Sequence, residues 1–124
     1  MKGSPVIDRQ GTTKRYSDST CYGGVVHLVE VPAIEGGTIE SQAASLFECL
    51  DRAMASAGTD KSRLLMVQVY LVDLEGDYEG FNSVWEEWLP PGCAPARACV
   101  EVSRLARKGW KVELVVTAAR RENG

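Results

Sequence analysis

The stretch Ala94-Pro95-Ala96-Arg97-Ala98-Cys99-Val100-Glu101-Val102 carries the residues of this chain best suited to chemistry. It reads as a β-strand, and an arginine entering an apolar strand is costly to bury unless an anion pairs with it. The planar guanidinium matches a carboxylate or a phosphate at two points. Cys99, two positions further on, falls on the same face of the strand. Arg97 and Cys99 together would then line one pocket, an anion clamp beside a small, soft wall. The competing reading is an arginine at a strand edge that pairs with a surface acid. The local sequence suits both.

The familiar catalytic constellations are missing. The one histidine, His27, sits inside a strand-like run with no Ser-Asp or Cys partner near it in sequence, whereas a histidine triad needs both a nucleophile and an orienting acid. Gly23-Gly24 and Gly36-Gly37 match neither a GxxxxGK phosphate loop nor a GxGxxG turn, which speaks against nucleotide hydrolysis and dinucleotide chemistry. The four cysteines (Cys21, Cys49, Cys93, Cys99) contain no CxxC pair, so neither a metal nor a cofactor is implied. The opening MKGSPVIDRQ lacks the apolar region of a signal peptide, and no apolar run approaches the roughly 18 residues of a membrane span. A cytoplasmic, reducing location with free thiols is the expectation, without a membrane partner. The net charge of -3 and a pI near 5.2 speak against nucleic acid, which needs a basic stripe. The group Arg104, Arg107, Lys108 and the pair Arg120-Arg121 are short, lie beside acids and read as solvated surface.

The elements that must position these residues follow from periodicity. With 124 residues, the chain suits a single domain. Residues 1–14 read as a flexible arm, 15–119 as the domain and 120–124 as a tail. A short extended segment ends near Tyr22, and Gly23-Gly24 turns it into a second strand over 25–31, a β-hairpin. Thr38 is an N-cap for a helix with apolar positions at Ala43, Leu46, Phe47, Leu50, Met54 and Ala57, ended by Gly58. Leu64 to Asp73 is an apolar interior strand. Tyr78, Phe81, Trp85 and Trp88 make an aromatic stripe on a second helix that packs on the sheet, and Pro90-Pro91-Gly92 ends it. Strands over 96–102 and 111–119 close the chain, joined through Lys108-Gly109. The order β-β-α-β-α-β-β, with helix crossovers and a hairpin at either end, predicts an α+β domain, a mixed sheet with both helices on one face. The other face carries apolar residues that need covering, so self-association through it is expected.

The motif Pro95-Ala96-Arg97-Ala98-Cys99-Val100-Glu101-Val102 resembles the strand motif of the YjgF/RidA (Rid) family, also labelled endoribonuclease L-PSP. Arg15-Tyr16-Ser17, Gln42, Ala57-Gly58, the strand over 67–73, Phe81-Asn82-Ser83-Val84-Trp85 and Val112-Glu113 agree with it in order and spacing. The Arg-aromatic-Ser opening and Trp85-x-x-Trp88 are most similar to the YoaB-like branch. The resemblance implies a chorismate-mutase-like fold assembled as a homotrimer, with three clefts between subunits. In RidA-type members such a cleft binds a small carboxylic acid, and water hydrolyses reactive 2-imino or 2-enamino acids to 2-keto acids and ammonia. It implies that Arg97 grips the carboxylate, that Cys99 and Tyr16 line the cleft, and that Asn82 in the second-helix motif contributes. Two departures stand out. The family's water-positioning glutamate falls at Val115, leaving Glu113, on the same strand face about 6.6 Å away, as its possible substitute. The family's Ser-Gly-Gln is Val29-Glu30-Val31 here, so water would have to be handled by Glu30 or Glu113. A trimer that binds a small carboxylate without turning it over is the alternative. An endoribonuclease or translation inhibitor, from the older family labels, fits the acidic chain less well.

Overall fold

Along the last strand Val112, Leu114, Val116 and Ala118 are buried, while Glu113, Val115, Thr117 and Ala119 alternate with them, half-buried. This period of two marks a sheet with one face sealed and the other open. The structure, a computed structural model, describes residues 6–122. Its strands are β1 (Asp8–Gln10), β2 (Ser19–Tyr22), β3 (Val25–Glu30), β4 (Leu64–Leu71), β5 (Ala96–Glu101) and β6 (Val112–Ala119). Helices α1 (Ile39–Ser56) and α2 (Leu74–Trp88) precede β4 and β5, and a 3-10 turn over Lys61–Arg63 leads into β4. The sheet order is β1-β2-β3-β6-β4-β5. All neighbours are antiparallel except β4 and β5, so the sheet is mixed and the domain α+β, as expected.

One core joins the helices to the sealed face. Leu46, Leu50 and Met54 of α1 and Phe81 of α2 are fully buried with Val26 of β3, Val67 and Val69 of β4 and Leu114 and Val116 of β6. Thr38 caps α1, its side chain accepting from the Ser41 amide at 3.1 Å. Gly58, at φ +83°, follows the helix in the left-handed conformation that an L side chain resists. In α2 the ring of Trp88 stacks on Phe47 at 4.4 Å, and its indole N–H donates to Asp51 at 3.1 Å, tying the helices together.

Four expectations need correction. Within the arm expected over 1–14, residues 8–10 form β1, which pairs with β2; residues 1–5 lie outside those described. Asp8 is fixed by a 2.7 Å ion pair with Arg120, which explains why a polar segment stays on the sheet. Arg120 and Arg121 are not merely solvated surface. Their amides donate to the Gly24 and Gly58 carbonyls, and Arg121 pairs with Asp60 at 2.7 Å; residues 123–124 of the expected tail lie outside the description. The two last strands form no hairpin, because β4 lies between β5 and β6. The connection over 102–111 is far longer than the 2–5 residues of a tight hairpin, long enough to pass the end of β4. Finally, Tyr78 is not core but 38% exposed, and only Phe81 and Trp85 of the aromatic stripe are buried.

Candidate functional site beside the edge strand

β5 is an edge strand, bonded only to β4, and its register fixes where its side chains go. Arg97 pairs with Val67 and Cys99 with Val69. Both partners are fully buried beneath the helices, so Arg97 and Cys99 share the helix side of the sheet. There α2 supplies a platform. The Arg97 guanidinium lies 5.2 Å from the Trp85 ring centre and 5.9 Å from that of Phe81, a cation–π arrangement that holds the fork without consuming its donors. No carboxylate of the described residues lies within ion-pair reach of Arg97, since the ion pairs found are Arg107–Glu35, Arg120–Asp8 and Arg121–Asp60. The strand-edge ion pair is therefore not formed, and the guanidinium is open to an external anion.

Two cavities meet at Arg97. One, of about 610 Å³, is lined by Leu74, Glu75, Tyr78, Glu79, Arg97 and Cys99. The other, of about 430 Å³, runs along α2 past Asn82, Trp85 and Glu86 to Pro90 and Gly92. The Asn82 side-chain oxygen is buried without a hydrogen-bond partner among the described residues, a costly state. Burial pushes the Cys99 thiol up, more than the charge of Arg97 pulls it down. It is therefore a neutral wall at physiological pH and a poor nucleophile.

The other expected site residues are not with Arg97 in one protomer. Glu113 pairs with Tyr70 across β4, and Tyr70 alternates with buried Val69 and Leu71, so Glu113 faces the open side of the sheet. Burial raises the pKa of its carboxyl even there. Val115 lies on the same open side, opposite Val29 of β3 and Gln68 of β4. Tyr16 is 64% exposed in the β1–β2 connection, and β1 and β5 are opposite edges of the sheet, about 24 Å apart at ~4.8 Å per strand. Glu30 opposes Leu114 and so lies on the helix side. It lines a separate cavity of about 370 Å³ with Asp18, Cys49 and Arg52. Burial first, then the charge of Asp18, raises its pKa, against the Val31 amide and Arg52.

Sequence reasoning grouped Arg97 with Cys99 and missed the groups facing them from α2. Glu75, Tyr78 and Glu79 are exposed on one side of that helix. Their i, i+3, i+4 spacing was the available signal, but only the β4–α2–β5 packing says which neighbour that side meets.

No group of three or more His, Cys, Asp or Glu side chains among the described residues is placed to hold a metal, and none of their helices is long and apolar enough to cross a membrane. The four cysteines are free thiols.

Comparison with known proteins gives a consistent picture. The family model described as endoribonuclease L-PSP matches residues 7–120. A RutC family protein of Haemophilus ducreyi is 40% identical over 115 residues, covering 92% of this chain and 97% of that one. The RutC family protein YoaB of Escherichia coli is 28% identical over 113 residues, 91% and 97% of the two chains. A crystal structure of a YjgF family member from Neisseria meningitidis superposes with a TM-score of 0.90 at 42% identity, covering 95% of this chain and 98% of that one. The sheet order, the two helices and the motif around Arg97 thus belong together, and this chain is a member of the YjgF/Rid (endoribonuclease L-PSP) family.

Proposed function

We propose that the protein is a homotrimer whose clefts between subunits bind a small carboxylic acid and hydrolyse reactive 2-imino acids. The observation that carries this reading is the Arg97 guanidinium, held over Phe81 and Trp85 with no ion-pair partner among the described residues. A substrate carboxylate placed there gains a two-point, charge-assisted contact. The reaction adds water across the C=N bond: R–C(=NH)–COO⁻ and H₂O give R–C(=O)–COO⁻ and NH₃.

Each group has a role within its chemical means. Arg97 orients the substrate through its carboxylate. Asn82 lines the second cavity with Arg97 and positions the substrate from the α2 side. Glu113 is the water-handling acid and base, and its raised pKa brings proton exchange closer to neutrality, where general acid–base catalysis is most effective. Glu113 and Tyr16 reach the Arg97 cavity only from a neighbouring copy, which is why assembly and activity go together here. The exposed apolar residues of the open face, Val29, Val100 and Tyr22, favour such a contact.

The test is hydrolysis of 2-iminopropanoate, generated in situ by an amino-acid oxidase, with purified wild type and Arg97→Ala. Loss of the clamp should lower kcat/KM at least about a hundredfold, roughly 3 kcal/mol for a charge-assisted, two-point contact. No acceleration by wild type, together with calorimetric binding of 2-keto acids, would leave a metabolite-binding trimer in its place.

A further inference from the structure

The cavity that holds Arg97 is not a uniformly positive site. Of its six lining residues, two are glutamates, Glu75 and Glu79, and both come from α2. Glu86, also from α2, lines the adjoining cavity on the other side of Arg97. The sequence of α2, LEGDYEGFNSVWEEW, contains five acids and no lysine or arginine. Among the described residues Glu75, Glu79 and Glu86 form no ion pair. Arg97 does not neutralise them either, because its guanidinium is fixed over the two aromatic rings.

This arrangement has two poles. At one end a fixed cation is free to take a carboxylate. At the other, two carboxylates one helical turn apart, lining the same cavity as Tyr78, are free to take a cation. A substrate with only negative charge is attracted by the first pole and repelled by the second. A substrate with a carboxylate at one end and a positive group at the other satisfies both. The cavity, at about 610 Å³, lies in the 300–1,000 Å³ range of pockets for ligands much larger than a three-carbon acid. It has room for a long side chain.

Resting on the proposed imine hydrolysis, we infer that this cleft selects 2-imino acids with a positively charged side chain, Arg97 taking the carboxylate and Glu75 with Glu79 taking the distal cation. The guanidinium side chain of an arginine-derived imine suits the site best, since its planar fork pairs with carboxylates at two points. Selectivity is electrostatic in origin, so it weakens with added salt.

The experiment compares imines generated in situ from arginine, leucine and glutamate by an oxidase of broad specificity. Leucine provides a neutral branched side chain and glutamate a negative one. The expected order of kcat/KM is arginine over leucine over glutamate, with about tenfold per step at low ionic strength for partly exposed charges. The variant carrying Glu75→Gln and Glu79→Gln should lose about tenfold on the arginine-derived imine and gain on the glutamate-derived one. Circular dichroism confirms the fold of a variant altered only on its surface. Equal acceleration of all three imines, or an order unchanged in the variant, overturns the selectivity while the hydrolase reading stands. No acceleration of any imine overturns both.

Discussion

Arg97 and Glu113 lie on opposite faces of one sheet, on strands separated only by β4. Val67, beside Arg97, points into the core, and Tyr70, beside Glu113, points away from it. An odd offset of three residues along β4 separates the two registers, and an odd offset in a strand reverses the face. A single protomer therefore cannot bring both groups onto one small substrate. If both act on the same molecule, they come from different copies.

Subunit mixing tests this directly. Arg97→Ala and Glu113→Gln should each be close to inactive alone. When the two are unfolded together and refolded as mixed trimers, about a quarter of the clefts combine an intact arginine from one copy with an intact glutamate from the next. Activity should return to about a quarter of the wild-type level. Failure to recover activity, with mixed trimers verified by mass, would remove one of the two groups from the reaction.

The raised pKa of Glu113 also has a stability consequence. Its folded-state pKa lies above the unfolded value because burial disfavours the charged form. The folded protein then holds this proton more tightly, so stability is full below the unfolded pKa and falls as pH rises through the folded one. Urea titrations across that window should show wild type losing stability with increasing pH. In Glu113→Gln this part of the slope should be missing, leaving the variant the more stable at neutral pH. An identical slope in both proteins would mean that Glu113 is well solvated.

Gln42 anchors the crossover that carries the chain from β5 to β6. Its side-chain amide is fully buried, donates to the carbonyls of Gly36 and Gly109 at 2.9 and 2.7 Å, and accepts from the Lys111 amide at 2.8 Å. Gln42→Leu keeps the approximate volume but orphans the Gly36 carbonyl and the Lys111 amide, each costing about 1–3 kcal/mol when buried, while the Gly109 carbonyl keeps the Gly36 N–H at 3.0 Å. We expect destabilisation of about 3 kcal/mol at fixed protein concentration, measured by urea denaturation. A change below about 0.5 kcal/mol would show that water replaces the amide.

Much of this molecule was legible in its sequence, and the failures share a cause. The helices were readable because their signals are local: the Thr38 cap, the Gly58 stop and the stripe from Ala43 to Met54. The grouping of Arg97 with Cys99 was readable for the same reason, since a strand repeats every two residues. What escaped was non-local. The position of β4 between β5 and β6 depends on pairing across the whole chain, and so does the role of Arg120 as the clamp for β1, 112 positions away. The separation of Glu113 from Arg97 depends on registers that no single segment encodes. The resemblance supplied site residues from several elements, and the fold then divided them between the α2–β5 side, with Arg97, Cys99 and Asn82, and positions elsewhere for Tyr16, Glu30 and Glu113.

The open face gives the most direct test of assembly. Val29 is 51% exposed in the single chain and sits opposite half-buried Val115, near the middle of that face. A charge at position 29 should cost the isolated fold little, because the side chain already reaches water there. Buried against another copy, an unpaired carboxylate costs several kcal/mol, repeated in each subunit of a trimer. Val29→Asp should therefore run as a folded monomer by light scattering coupled to size exclusion, while wild type runs at three times the mass of the 13.5 kDa chain. If the clefts form between copies, the same variant should lose imine hydrolysis although Arg97, Asn82 and Glu113 are all intact. A trimeric Val29→Asp would move the interface off this face, and an active monomer would confine the chemistry to the α2–β5 side alone.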